Sequence, residues 1–200
     1  MEQIALNKIS YGLYILTASF EGKDNGCIIN TVSQVALNPD KIMISVNKSS
    51  YTGELIKKSG LFNLSVLTEE APFDEFRHFG FSSGRDKDKF ENKENIFRSS
   101  NGVYVVPRYA NSFICASVTD TLDLGTHTLF IADVTEQTVL TDEPSITYGY
   151  YHANTKPKPQ ENKKSGYRCN ICGYVYEGED IPEDFICPIC KHGVADFEKI

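Results

Sequence analysis

Apolar and polar residues alternate most regularly at Lys41-Ile42-Met43-Ile44-Ser45-Val46-Asn47 and at Leu61-Phe62-Asn63-Leu64-Ser65-Val66-Leu67. That period of two belongs to strands with one buried face. Residues 13–19 read as a further strand, and later ones are expected at 103–107, 112–120, 126–140 and 145–151. Turns are predicted at 21–26, where Asn25-Gly26 is a strong reversal signal, and at Asn38-Pro39-Asp40. A short helix over 53–59 would be capped by Thr52 and stopped by Gly60. A second opens with Pro72 in its first turn and runs to Phe79, before a polar loop over 80–90. Many short strands with few helices predict a mainly β fold built on an antiparallel barrel.

Composition then divides the chain. Residues 1–152 are enough to bury a core of their own. Residues 153–166, Ala-Asn-Thr-Lys-Pro-Lys-Pro-Gln-Glu-Asn-Lys-Lys-Ser-Gly, have almost nothing to bury and read as a linker, with a reach of about 40 Å if extended. Residues 167–200 form a small cysteine-bearing unit. The net charge of −7 splits as −6, +3 and −4 over these segments, which argues against nucleic acid as a partner. No apolar run approaches a membrane span, and the first residues carry no basic, apolar export pattern. Cys27 and Cys115 stand isolated, outside any disulfide-like pattern, so a reducing, cytoplasmic setting is expected.

The remaining four cysteines carry the most specific signal. Cys169 and Cys172 form one Cys-x-x-Cys pair, Cys187 and Cys190 another, and fourteen residues separate them. Four thiolates so spaced can close a tetrahedral shell around one metal ion. The spacing alone serves zinc ribbons and single-iron electron carriers alike. Tyr167, Tyr174, Tyr176, Phe185 and Phe197 supply many rings to a segment too short for an ordinary core. From Gly166 to Ile200 the run Tyr-x-Cys-x-x-Cys-Gly-Tyr-x-Tyr, then Ile-Pro-Glu-Asp-Phe, Cys-Pro-Ile-Cys and Asp-Phe-Glu-Lys resembles rubredoxin. The span between its pairs is shorter than in free-standing rubredoxins, and Phe185 stands where they usually carry tryptophan. The resemblance implies one iron ion held by Cys169, Cys172, Cys187 and Cys190.

Upstream, no Gly-x-Gly-x-x-Gly follows a predicted strand and no phosphate-binding Walker loop occurs. Two polar clusters remain. Asn30, Thr31, Ser33 and Gln34 follow the first turn and could meet the heteroatom edge of a ring. Asn47, Lys48, Ser49, Ser50 and Thr52 sit at a predicted helix start, where free amides, hydroxyls and one lysine suit a phosphate. Asn-Gly-Cys-x-x-Asn-Thr-x-x-Gln-Val, Ser-Val-Asn-Lys-Ser-Ser-Tyr-Thr, Phe-Gly-Phe-Ser-Ser-Gly-Arg-Asp-Lys-Asp-Lys-Phe and Leu-Gly-Thr-His-Thr-Leu-Phe-Ile-Ala come in the order of the flavin reductase family, so residues 5–152 resemble its FMN-binding split barrel. By that resemblance Cys27, Asn30, Thr31 and Gln34 would lie at the flavin ring. Asn47, Lys48, Ser50 and Thr52 would hold its phosphate, and His127 would act near the flavin or an incoming NADH or NADPH. A homodimer is implied, as is an acceptor of the flavo-diiron type that reduces oxygen or nitric oxide. Three other readings stay open: an FMN/iron relay filled by a protein donor, a zinc-stabilised interaction module on a flavin-binding barrel, and reduction of free flavin for a separate oxygenase.

Overall fold

The computed structural model describes residues 8–157, 166–188 and 192–200. The reading of the first residues, the reach of the linker and the placement of Cys190 lie outside the described residues.

The chain is mostly β. In order come β1 (Tyr14–Phe20), β2 (Lys23–Ile29), β3 (Val32–Leu37) and β4 (Asp40–Asn47), then α1 (Tyr51–Ser59), β5 (Leu61–Leu67) and α2 (Phe73–Gly80). A small pair, β6 (Phe97–Arg98) and β7 (Tyr104–Val105), precedes the long β8 (Ala110–Asp123) and β9 (His127–Val139). The C-terminal unit adds β10 (Tyr167–Cys169), β11 (Val175–Tyr176) and β12 (Phe197–Lys199). Seven strands form one antiparallel sheet in the order β2-β1-β5-β8-β9-β4-β3.

Alternation along β1 explains why that sheet is covered on both sides. Leu16 and Ala18 enter one apolar cluster with Ile44, Val46, Leu64 and Phe130 under α1, whereas Ile15 joins Phe76, Phe79 and Ile146 under α2. Both helices therefore lean on the β1–β2 end of the sheet. Gly26 permits the second contact. A Cβ there would stand 3.0 Å from the Phe79 ring and 3.4 Å from the Leu16 carbonyl oxygen, so only glycine lets α2 lie this close to β2.

Four expectations change. The reversal lies at Glu21-Gly22, both with positive φ, and Asn25-Gly26 runs inside β2 paired with Thr17 and Ala18. Tertiary pairing has overridden the dipeptide signal there. Ser50, not Thr52, caps α1: its Oγ accepts from the Gly53 amide, and Thr52 already lies within the first turn. Gly60 ends that helix in the left-handed region as expected. Residues 145–151 give isolated bridges at Ser145 and Thr147 and then a helical turn over Tyr148–Tyr150, continued by a π-turn over Tyr151–Thr155. Thr147 caps that turn, and Tyr151 is buried against Phe76. The expected linker thus begins in ordered structure as far as Lys156, whose amide closes on the Tyr151 carbonyl. Among the described residues no helix is long and apolar enough to cross a membrane.

Candidate functional site

The first candidate site is a cleft of about 300 Å³ where the end of β2, the end of β4 and the start of α1 converge. Ile28, Ile29 and Val46 give it apolar walls, and Asn30, Thr31, Asn47, Ser50 and His127 its polar edge. β2 crosses directly into β3 here, and the Thr31 hydroxyl donates to the Ser45 carbonyl at 2.7 Å, which fixes the crossing against β4. Asn47 Oδ1 accepts from both the amide and the hydroxyl of Ser49 at 2.9 Å, leaving its amide nitrogen as a donor. Ser50, which takes the Gly53 amide, brings the start of α1 to the cleft edge, and a helix start suits an anion. An apolar slot with a hydrogen-bonding edge and a helix start beside it fits a planar ring bearing a phosphate tail.

The barrel residues singled out in the sequence fall into two groups, those that line the cleft and those that do not. Cys27, Asn30, Thr31, Asn47, Ser50 and His127 line the cleft together. Thr52 is fully buried behind it and accepts from Asn25 Nδ2 at 2.9 Å. Lys48 turns to Asp123, 2.6 Å away at the end of β8, and this ion pair holds the Asp123 carboxyl below its ordinary range. Gln34 sits on exposed β3, donating to the Ala36 carbonyl and to Asp40. His127, first residue of β9, pairs in register with Asn47 and meets Thr126 Oγ1 through Nδ1 at 2.9 Å, so Nε2 is the nitrogen open to a ligand.

Cys27 is not a thiolate site. Burial pushes its thiol up, against smaller opposing effects of the Thr52 hydroxyl, the Lys89 ammonium and the Ser50 hydroxyl, so it stays protonated at neutral pH. Lys89 is the residue that sequence reasoning missed. It is 2% exposed, and its Nζ donates to the carbonyls of Gly26 and Phe79. Only its place immediately before the apolar Phe90 set it apart from the other charges of that loop. Arg85 pairs with Glu54 and lies over the Tyr51 ring, bridging the loop to α1.

The second site is made of sulfur. Cys169, Cys172 and Cys187 are buried, and their Sγ atoms all lie within 4.8 Å of one another, with Cys172 and Cys187 at 3.4 Å. Gly173, at φ +83°, folds the first loop back so that its amide reaches the Cys169 carbonyl and the Cys169 amide reaches Tyr174. The Cys187 amide pairs likewise with the His192 carbonyl. Phe185 is the hub of the rings, with Tyr176 at 4.7 Å, Phe197 at 5.6 Å and Tyr174 stacked at 6.3 Å. A buried set of converging sulfurs inside an aromatic shell fits a thiophilic metal ion.

The flavin reductase like domain family matches residues 6–158, and the rubrerythrin, rubredoxin-like domain family matches 167–198. A high molecular weight rubredoxin of Moorella thermoacetica is 37% identical over 230 aligned residues, covering 100% of each chain. A ferric-chelate reductase (NAD(P)H) of Archaeoglobus fulgidus is 39% identical over 158 residues, 79% of this chain and 93% of that protein. Among solved structures, an FMN-binding protein from Thermus thermophilus superposes with a TM-score of 0.65 at 19% identity, covering 74% of this chain and 86% of that one, which speaks for the shared fold.

Proposed function

Because this chain belongs to the flavin reductase like family and carries a rubredoxin-like domain at its C-terminal end, we propose that it takes a hydride from NADH or NADPH at the barrel cleft and delivers electrons one at a time, through a cysteine-held iron, to an acceptor protein. It is an oxidoreductase. The observation that carries the finer reading is that one polypeptide holds both a ring-sized cleft with an anion-ready helix start and a buried three-sulfur cluster.

When bound, FMN supplies hydride acceptance with single-electron release, and an iron tetrathiolate supplies one-electron exchange. The protein's own residues do the rest. Ile28, Ile29 and Val46 keep water from the ring's seat, Asn30 and Thr31 offer polar atoms to its edge, and Cys27, protonated, packs beside it. Asn47, Ser50 and Thr52 shape the helix start that receives the phosphate, while Lys48 contributes through the field it shares with Asp123. His127 offers Nε2 to the incoming nicotinamide. Cys169, Cys172, Cys187 and Cys190 hold the iron.

Val35 and Leu37, exposed on edge strand β3 beside Gln34, support a homodimer through the barrel in which Gln34 serves at the interface. The acidic C-terminal unit suits an acceptor with a basic rim, and a flavo-diiron protein reducing oxygen or nitric oxide is the acceptor we propose. The test is a spectrum of the purified protein, with metal analysis, before and after anaerobic NADH or NADPH. Iron with FMN, both bleaching, is expected. Zinc at full occupancy from iron-rich medium, or no bleaching by either nucleotide, would overturn the reading.

A further inference from the structure

The sulfur cluster does not stand apart from the barrel. Phe81, which follows the last residue of α2, packs against Cys169, Cys172 and Cys187 beside the unit's own apolar side chains. Lys156, in the turn that leaves the barrel, donates its Nζ to the Ile171 carbonyl at 2.9 Å. Ile171 is the middle of the first Cys-x-x-Cys loop, so a ring and an ammonium from the barrel side both engage the knuckle that carries two metal ligands.

Phe81 is itself held in place. Its ring meets Phe73 edge-on at 5.7 Å, its amide closes on the Arg77 carbonyl, and the preceding Gly80 is so near Ile28 that a Cβ there would lie 3.4 Å from Ile28 Cγ1. Ile28 lines the cleft assigned to the flavin. A short run of packed residues, Phe81, Gly80 and Ile28, therefore connects the sulfur cluster to that cleft. Charge favours the same contact. Residues 167–200 carry −4, and the cleft of about 640 Å³ beside Phe81 is lined by Arg77, Lys87 and Arg108 as well as by acidic Asp74 and Glu75.

We propose that the C-terminal end of α2 is a built-in docking face for the chain's own metal knuckle, with Phe81 as its apolar seat and Lys156 as its latch. Both are positioning residues: the ring covers part of the sulfur cluster from the barrel side, and the ammonium holds the first Cys-x-x-Cys loop by its Ile171 carbonyl. That the docked pose serves electron passage rests on the function proposed above; the docking itself does not.

Isotope-labelled, flavin-loaded full-length protein with ferric iron, compared by NMR with its zinc-loaded form, tests this. Unpaired electrons on iron broaden nearby signals, so the amides of Ile28 and residues 73–82 should be broadened with iron and sharp with zinc. Phe81→Ala and Lys156→Ala should each restore those signals, with the docking equilibrium falling about tenfold, which is ~1.4 kcal/mol. Zinc-loaded spectra of the variants report whether they fold, and Phe81→Leu with Lys156→Met replaces any that does not. Equally sharp signals in the iron and zinc forms, or broadening undiminished in folded variants at both positions, would overturn the proposal. Flavin bleaching by NADH is read separately on the same samples. Its absence contradicts the proposed function and leaves the docking result standing.

Discussion

Lys89 Nζ lies 2.8 Å from the carbonyl oxygen of Gly26, one residue before Cys27, and the same distance from that of Phe79. One buried ammonium therefore ties the strand that lines the cleft to the helix that carries the docking face. The arrangement is costly: burial pushes the lysine down from 10.5 to about 8.

The sign of the pH dependence follows. Between about pH 8 and 10.5 the unfolded chain holds a proton on Lys89 that the folded chain has released, so stability rises with pH across that window. Relative to Lys89→Met, the wild-type protein should gain on the order of 3 kcal/mol, at ~1.4 kcal/mol per pH unit. Urea titrations of both proteins at pH 7.5, 9 and 10 check it. A difference that is flat, or that shrinks as pH rises, contradicts the assignment.

Thr52→Val should destabilise without disturbing shape. It removes the acceptor of the buried Asn25 amide, whose Oδ1 already has no hydrogen-bond partner among the described residues. A loss of ~1–3 kcal/mol in chemical denaturation is expected, whereas Thr52→Ser, which keeps the acceptor, should retain most of the stability.

Ser50→Ala removes the α1 cap and should cost about 1 kcal/mol. Because the same residue lines the cleft, FMN should also leave the variant faster, read as the rise of free-flavin fluorescence on dilution. Lys48→Ala should affect retention less, since that charge is already engaged by Asp123. If Lys48→Ala released FMN faster than Ser50→Ala, the phosphate would have to be moved toward the lysine.

Cys172→Ser should abolish the visible absorption of ferric tetrathiolate while the FMN spectrum persists, because Cys172 belongs to the sulfur cluster and not to the flavin cleft. Loss of both chromophores together would contradict the separation of the two sites.

How much of this was legible in the sequence depended on how local each signal was. Strands β4 and β5 follow from alternation, and β4 keeps the half-buried pattern that alternation predicts, whereas β1 and β5 are buried on both faces because a helix covers each side of the sheet. The Cys-x-x-Cys pairs were equally plain, since ligand spacing is a local constraint. Asn25-Gly26 misled because pairing with β1, together with the close approach of Phe79, decides its conformation. Residues 145–151 read as a strand, yet the Thr147 cap and the burial of Tyr151 turn Tyr148 to Tyr150 into a helical turn. Lys89 and Phe81 were invisible for the same reason. Which lysine of a charged loop turns inward, and which phenylalanine meets the sulfur cluster, are set by partners far along the chain.

The most direct test of the account is anaerobic stopped-flow mixing of the iron- and FMN-loaded protein with NADH and, separately, NADPH, following the flavin and the ferric tetrathiolate bands together. With at least one nucleotide the flavin should bleach first and the iron after it, and His127→Ala should slow the first phase while leaving iron content unchanged. Iron that stays oxidised after the flavin is fully reduced, or a flavin that neither nucleotide bleaches, would contradict a path from nicotinamide through the barrel to the four cysteines.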